Sequence, residues 1–430
     1  KRFGRKNRKL YRNSLVGRKK HNHFIRAIRF NQCTMTVKKT TMYRVCLIRH
    51  GYYPRDPRVL KEVRALLESG YSVDVLCLRL DGQKKMEEID GVHVYRLSHQ
   101  HQRGSLLRYL YEYCLSFLKM TVMATLLFFR NRYQCIQVNT LPDVLVFVTM
   151  IPRIFGAKVL LDMQEPAPEL FVTKYSSGKY KIFVKLIILL EQLSLRYANA
   201  VLTVNESLRE RFIERGAQEQ KIHVVRNVPD KEFYPNVLNQ TTGNGFTLLT
   251  HGMIEKRYGQ EVIIRALPLV RDKIKQLKLF IAGYGQEEYL RKLAEELGCS
   301  DIVAFTGLVP FLQMRELIAV ADIGIVPLLR SPFSELCQPN KLFEYIACKR
   351  PVIAARLGAI EESFDDSCVM FFEPGSHEDL ARCIIELYQS PERRRHLIEN
   401  AYSRFQPICW KEAQKIYLNV VNDLTGRRGE

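Results

Sequence analysis

Several familiar chemistries have no foothold in this chain. There is no G-x-x-x-x-G-K-[ST], the main signal of a P-loop NTPase, and no G-x-G-x-x-G after the first strand, the main signal of a dinucleotide redox enzyme. A G-x-S-x-G elbow and an H-E-x-x-H pair are also missing, which argues against a serine hydrolase and a zinc protease. The eleven cysteines form no C-x-x-C pair and are odd in number. Cys46 and Cys77 lie in apolar runs, where cysteine behaves as a small hydrophobe. This usage predicts a reducing, cytoplasmic setting without a zinc site. No apolar stretch reaches the roughly 18–20 residues that a membrane span needs. The nearest, Ser105 to Phe129, is interrupted by Arg108, Glu112 and Lys119. A second, Ile182 to Leu190, carries Lys185 and follows Lys174, Lys179 and Lys181. Both runs read either as core helices or as helices for a membrane interface. Acidic residues are absent from the first 39 positions, which hold 14 Lys and Arg.

The composition is that of a globular protein, with 47% hydrophobic and 26% charged residues. At 430 residues, two domains are expected. The net charge of +21 predicts an anionic partner. Two thirds of that surplus sits in the first forty residues, which have no hydrophobic period and cannot fold alone. They read as a polybasic arm for anionic lipid or nucleic acid. They also read as a solvated tail, or as sequence upstream of a start near Met35 or Met42. No RNA- or DNA-binding motif accompanies them, so nucleic acid is not the expected partner.

From Tyr43 onward strands and helices alternate. Tyr43 to Ile48 reads as a buried strand, Asp56-Pro57 opens a helix as cap and first residue, and Gly70 closes it. Ser72 to Leu78, Val92 to Leu97, Cys135 to Asn139, Lys158 to Asp162 and Val201 to Val204 continue the series. Asn227 to Gly245 is polar and suits a linker. The pattern restarts at Phe246 to Thr250 and runs through Leu277 to Ala282, Ile302 to Phe305, Ile323 to Pro327, Val352 to Ala355 and Val369 to Phe372. The fold class is therefore α/β, with two doubly wound parallel-sheet domains and a ligand cleft at the strand ends.

Chemistry is carried by loops at those ends. His251 to Gly259 brings Gly252, Lys256 and Arg257 ahead of a helix, which suits a phosphate or diphosphate. Leu279 to Gly285 leads into a Gly-rich turn at Gly283, and Phe305 to Val309 ends another strand at a loop. Gln338-Pro339-Asn340-Lys341-Leu342-Phe343-Glu344 opens a helix, followed by Pro351-Val352-Ile353-Ala354. Lys341 there can reach a phosphate, and Glu344, one turn on, can accept from ribose hydroxyls. The same two residues also read as a solvated ion pair.

These blocks, in this order, resemble the retaining GT-B glycosyltransferases of family 4. The Pro339-to-Tyr345 block followed by Pro351-Val352-Ile353-Ala354 is the most specific match. Tyr53 to Val59 resembles the family's first loop and helix, and Leu161 to Pro166 its aspartate–histidine–glutamate segment. The resemblance runs from about Tyr43 to the C-terminus. It implies a GT-B fold of two facing Rossmann-like domains: a basic arm at 1–41, an acceptor domain at 42–230, a nucleotide-sugar domain at 231–409, and a crossover helix and tail at 410–430.

The implied reaction is metal-independent, configuration-retaining sugar transfer from a UDP- or GDP-sugar to a lipid-linked or polysaccharide acceptor. It would run at the inner, cytoplasmic face of an anionic membrane, with no cofactor beyond the donor. The absence of a D-x-D triplet agrees with a metal-free site. The resemblance implies donor contacts at Gly51, Gly252, Arg257, Gly283, Val309, Lys341 and Glu344, and catalytic positions at Glu335, Gln164 and Glu165. Three positions depart from the family pattern. Leu336 stands where the first motif glutamate belongs, with Glu335 beside it. Gln164 replaces the active-site histidine, and Met253 replaces a basic residue. Two alternatives stay open: a nucleotide-sugar epimerase on the same architecture, and a non-catalytic membrane- or nucleic-acid-binding protein.

Overall fold

The computed structural model describes residues 43–98, 106–175, 181–230 and 245–427. The basic arm and most of the linker, 231–244, lie outside them, as do Lys179 and the start of the Ser105 run.

The first sheet contains β1 (Arg44–Arg49), β2 (Ser72–Arg79), β3 (Met86–Ile89), β4 (Val92–Ser98), β5 (Cys135–Asn139), β6 (Lys158–Asp162), β7 (Ala200–Thr203) and β8 (Ile222–Val224). Its spatial order is β3-β4-β2-β1-β5-β6-β7-β8, parallel except for the β3–β4 hairpin. That hairpin was not foreseen. It turns through Asp90 and Gly91, both at positive φ, which is the Asp-Gly signature of a tight hairpin turn. The second sheet contains β9 (Phe246–Ile254), β10 (Leu277–Gly285), β11 (Val303–Gly307), β12 (Ile323–Val326), β13 (Val352–Ala355) and β14 (Met370–Phe372), in the order β11-β10-β9-β12-β13-β14. The strand order reverses beside β1 in the first sheet and beside β9 in the second, so the crevice of each domain opens at the ends of those strands.

The helices that matter for the site are α1 (Pro57–Glu68), α2 (Leu106–Asn131), α3 (Lys181–Tyr197), α4 (Glu206–Glu214), α5 (Asn340–Ala347) and α6 (Trp410–Thr425). Asp56 caps α1 as expected, accepting from the Arg58 and Val59 amides at 3.1 and 3.3 Å. Helix α6 follows the second domain yet packs on the first. Its Tyr417 hydroxyl donates to Gln137 on β5 at 2.7 Å, and its Asn422 accepts from Tyr71 at 2.6 Å. It is the crossover helix the sequence predicts.

Two expectations need correction. Strands β9 and β10 run on to Ile254 and Gly285, so His251, Gly252 and Gly283 belong to paired strand rather than loop. The reason is steric: Gly283 stands opposite Gly252, and a Cβ on Gly283 would lie 1.7 Å from the Gly252 carbonyl oxygen. Only glycine lets the two backbones stay this close. The other correction concerns length. In α2, the 19 residues Tyr113–Asn131 form a helix long and apolar enough to cross a membrane, because Lys119 and Arg130 are its only charges. Its Met120, Ala124, Leu127 and Phe128 nevertheless pack into the core of the first sheet.

Candidate active site

The first domain presents three side-chain groups at its strand ends. Arg49 closes β1, and its Nε meets Asp56 at 2.9 Å, so one carboxylate both caps α1 and holds this arginine. Gly51 follows; a Cβ there would come within 3.2 Å of the Arg49 stem, so the glycine leaves that side chain its room. At the end of β6, fully buried Asp162 accepts from Arg58 Nε and Nη2 at 2.8 and 2.6 Å, from Asn139 at 2.7 Å and from Gln164 at 2.8 Å. A paired, forked interaction of this kind is among the stronger polar contacts in proteins. Gln164, the position of the family's histidine, therefore spends its amide donor on Asp162. Its neighbour Glu165 faces the other domain. Burial raises the Glu165 pKa, while Arg257, Arg49 and Lys174 pull it back down.

The second domain answers with cations. Arg257 sits in a 3₁₀ turn after β9, its Nε 2.8 Å from Glu255 and its guanidinium 4.7 Å from the Tyr258 ring centroid. Its Nη1 is buried without a hydrogen-bond partner. Lys341 approaches the same ring, its Nζ 5.9 Å from the centroid, and lies 3.9 Å from where a Gly252 Cβ would be. It belongs to the first turn of α5, whose N-cap, Pro339, makes no side-chain cap. The backbone N–H groups of that turn thus lack a side-chain partner, a ready anion site at the positive helix end.

One turn on, Glu344 lies 3.2 Å from His251 Nε2. Burial, reinforced by Lys341, drives the His251 pKa down to about 3, so the ring is neutral and the contact is no ion pair at neutral pH. Burial pushes Glu344 up to about 7 against the pull of Lys61 and Lys341, and brings Lys341 down to about 8 against the pull of Glu344.

The structure thus gathers Gly252, Gly283, Arg257, Lys341 and Glu344 on one domain edge, with Glu165 of the other domain within electrostatic reach of Arg257. The remaining expected members are Val309 and Glu335. Val309 lies after the edge strand β11, two strands from β9. Glu335 is engaged by Arg330 at 2.5 Å and by the Gly358 amide at 2.7 Å. Leu336 is buried, and its carbonyl accepts from Asn205 at 2.9 Å.

Sequence reading missed Arg49, His251 and Lys61. Lys61 points from α1 into the junction between the domains. Its ammonium donates to the Val228 carbonyl and to Asn227 and sits 4.7 Å from the Trp410 ring centroid. It thereby touches both chain segments that join the domains, and burial lowers its pKa to about 7. Glu362 was also missed. This second-domain carboxylate accepts from the Glu206 and Ser207 amides at the start of α4, from the Ser207 hydroxyl and from Arg226.

Comparison with known proteins agrees with this architecture. A model of the glycosyl transferase 4-like domain matches residues 56–228, and one of glycosyl transferases group 1 matches 245–390. EpsD of Bacillus subtilis, named as a glycosyltransferase, is 29% identical over 215 residues, 47% of this chain and 54% of that protein. The chain spans about half the length of the curated relatives it matches. Sucrose-phosphate synthase from Thermosynechococcus elongatus superposes with a TM-score of 0.71 at 18% identity, covering 90% of this chain and all of that one. Anabaena HepE in complex with UDP-glucose gives 0.66 at 16% identity, covering 88% and 99%. With two largely parallel sheets and a tandem pair of glycosyltransferase matches laid over them, the chain belongs to the GT-B glycosyltransferases of family 4 type.

Proposed function

We propose that this protein transfers a sugar, with retention of configuration, from a UDP- or GDP-sugar to a lipid-linked or polysaccharide acceptor at the inner, cytoplasmic face of a membrane. One observation carries the reading. The buried, unpartnered Arg257 Nη1 and the Lys341 ammonium flank one aromatic ring beside the uncapped start of α5. Such a cluster favours a diphosphate, and HepE, which shares the fold, holds UDP-glucose.

In this reading the diphosphate lies over the first turn of α5 between Lys341 and Arg257. Their charges and the positive N-terminal end of α5 stabilise the negative charge that grows as the glycosidic bond to phosphate breaks. Glu344 accepts from the ribose hydroxyls. Gly252 and Gly283 keep the floor beneath Lys341 free of side chains. Gln164 has no basic nitrogen and is held by Asp162, so the acceptor's proton goes to the departing phosphate rather than to this side chain. Glu165 lies on the acceptor side of Arg257, and Glu335 would leave Arg330 to meet the sugar.

Calorimetric titration of UDP and GDP tests the reading. One of them should bind the protein, and the Glu344→Ala variant should bind it much more weakly. Absence of binding by either nucleotide would overturn it. Conversion of a nucleotide sugar in the absence of any acceptor would favour an epimerase instead.

A further inference from the structure

Helix α2 buries one apolar stripe and exposes another, while α3 buries Glu191, Ser194 and Leu195 and leaves an apolar stripe outside. On α2, Leu118, Val122, Leu126 and Phe129 recur at steps of four, four and three and stand out from the body, Leu118 and Leu126 at 60% exposure. On α3, Ile182, Leu186, Leu189 and Leu193 recur at four, three and four, with Ile182 at 81% exposure. A helix that is apolar on all sides calls for cover on all sides. The segment between them completes the face: Ile154 is exposed, and the Phe155 ring lies 5.1 Å from that of Phe129. Isolated exposed leucines need no explanation, but exposed apolar stripes on two helices of one domain, with Ile154 and Phe155 beside the first, mark an interaction site.

Charge selects the partner. Lys119, Arg130, Arg132, Lys181 and Lys185 are exposed around these stripes. Among the described side chains of 113–132, 150–155 and 181–197 the single carboxylate is Glu191, which is buried and paired with Arg215 at 2.7 Å. A second copy docking by a two-fold axis would set this face against itself. That would oppose cations to cations with no carboxylate to answer them. An anionic bilayer supplies apolar depth for the leucines and phosphates for the lysines.

The face also has a direction. Both helices connect parallel strands, so each starts at the sheet edge that carries the cleft. Tyr113 near the start of α2 contacts His50 in the loop after β1, ring centroids 5.0 Å apart. Lys174, shortly before α3, is one of the cations acting on Glu165.

We propose that the outer face of α2 and α3 lies in the headgroup region of an anionic membrane and sets the cleft mouth at the bilayer surface, so that a lipid-linked acceptor enters beside Glu165. The delivery of an acceptor rests on the function proposed above; the membrane contact does not.

The test is flotation of the full chain with phosphatidylglycerol/phosphatidylcholine vesicles and with phosphatidylcholine vesicles alone. Preferential binding to the anionic vesicles that weakens with added salt is expected. A Leu118→Asp/Leu186→Asp double variant should bind about tenfold or more weakly, and so should Lys181→Glu/Lys185→Glu, which leaves the apolar stripes intact. UDP or GDP titration of each variant reports that the body is folded and reads the donor site separately. Cys114, exposed four residues before Leu118, gives a direct probe. In a Cys33→Ser background, an environment-sensitive dye on it should shift to the blue on anionic vesicles. Unchanged binding by both double variants, or no dye shift, would overturn the proposal, whatever the arm contributes. So would a lipid-free dimer that dissociates in the Leu118→Asp/Leu186→Asp protein.

Discussion

Glu362 offers a direct test of how the two domains are held together. It belongs to the second domain, yet its carboxylate caps a helix of the first. The Glu206 amide donates to it at 3.0 Å, the Ser207 amide at 2.9 Å, the Ser207 hydroxyl at 2.7 Å and Arg226 at 2.9 Å. Hydrogen bonds to a charged group contribute about 1.5–3 kcal/mol each where buried, and less where water competes. Asn205 remains as the helix's own cap, accepting from the Leu208 amide. Glu362→Ala should therefore cost about 2–3 kcal/mol of local stability at the start of α4, short of the sum of four bonds. That corresponds to roughly thirty- to two-hundredfold faster amide exchange at Glu206 and Ser207, since 1.4 kcal/mol is a factor of about ten.

The pH dependence has a defined sign. The hydrogen bonds from Ser207 and Glu206 and the charge of Arg226 outweigh burial and lower the Glu362 pKa. Its contribution is thus fully present above the ordinary glutamate pKa and is lost as pH falls through the lowered folded value. Amide-resolved hydrogen exchange on the wild type and on Glu362→Ala, with small-angle scattering to follow domain separation, would measure both. Unchanged exchange at Glu206 and Ser207 in the variant would show that the cross-domain cap holds nothing.

Further outcomes follow from the same structure. Arg58→Met leaves buried Asp162 without its guanidinium partner and should destabilise the fold by about 3–5 kcal/mol, read as a lowered denaturant midpoint with an unchanged slope. Gly283→Ala forces a methyl group onto the Gly252 carbonyl. It should part β9 from β10, cost at least about 1–3 kcal/mol and abolish nucleotide binding. Lys341→Met should weaken UDP or GDP binding about ten- to a hundredfold. In the wild type that affinity should fall as pH rises through about 8, where Lys341 loses its charge in the free protein. Lys61→Met removes a cation from the ring of Trp410, the chain's one tryptophan, and should change its fluorescence and the exchange of the 226–230 junction.

Most of the fold was legible because its signals are local. Alternating apolar runs, the Asp56-Pro57 helix start and the polar linker each depend on a few neighbouring residues. The order of the glycine, Pro339 and Glu344 blocks carried the family with them. The glycine block was read as loop, since nothing local tells a glycine at a turn from one that lets two strands run on side by side. The placement of Glu335 was also beyond local reading, because its partner Gly358 lies 23 residues away.

What the sequence by itself determined is the series of strands and helices, the division into two sheets and the residue types at the strand ends. What only the tertiary structure decided is which charged residues lose their water. Arg58, Lys61 and Glu62 stand on a face of α1 that a helical pattern assigns to solvent. All three are buried, with Asp162, the 225–228 segment and the start of α6 around them. The apolar stripes of α2 and α3 show the converse, since six of the nine leucines whose side chains are described there are exposed. Burial depends on elements brought together from distant parts of the sequence, and no local pattern of residues contains it.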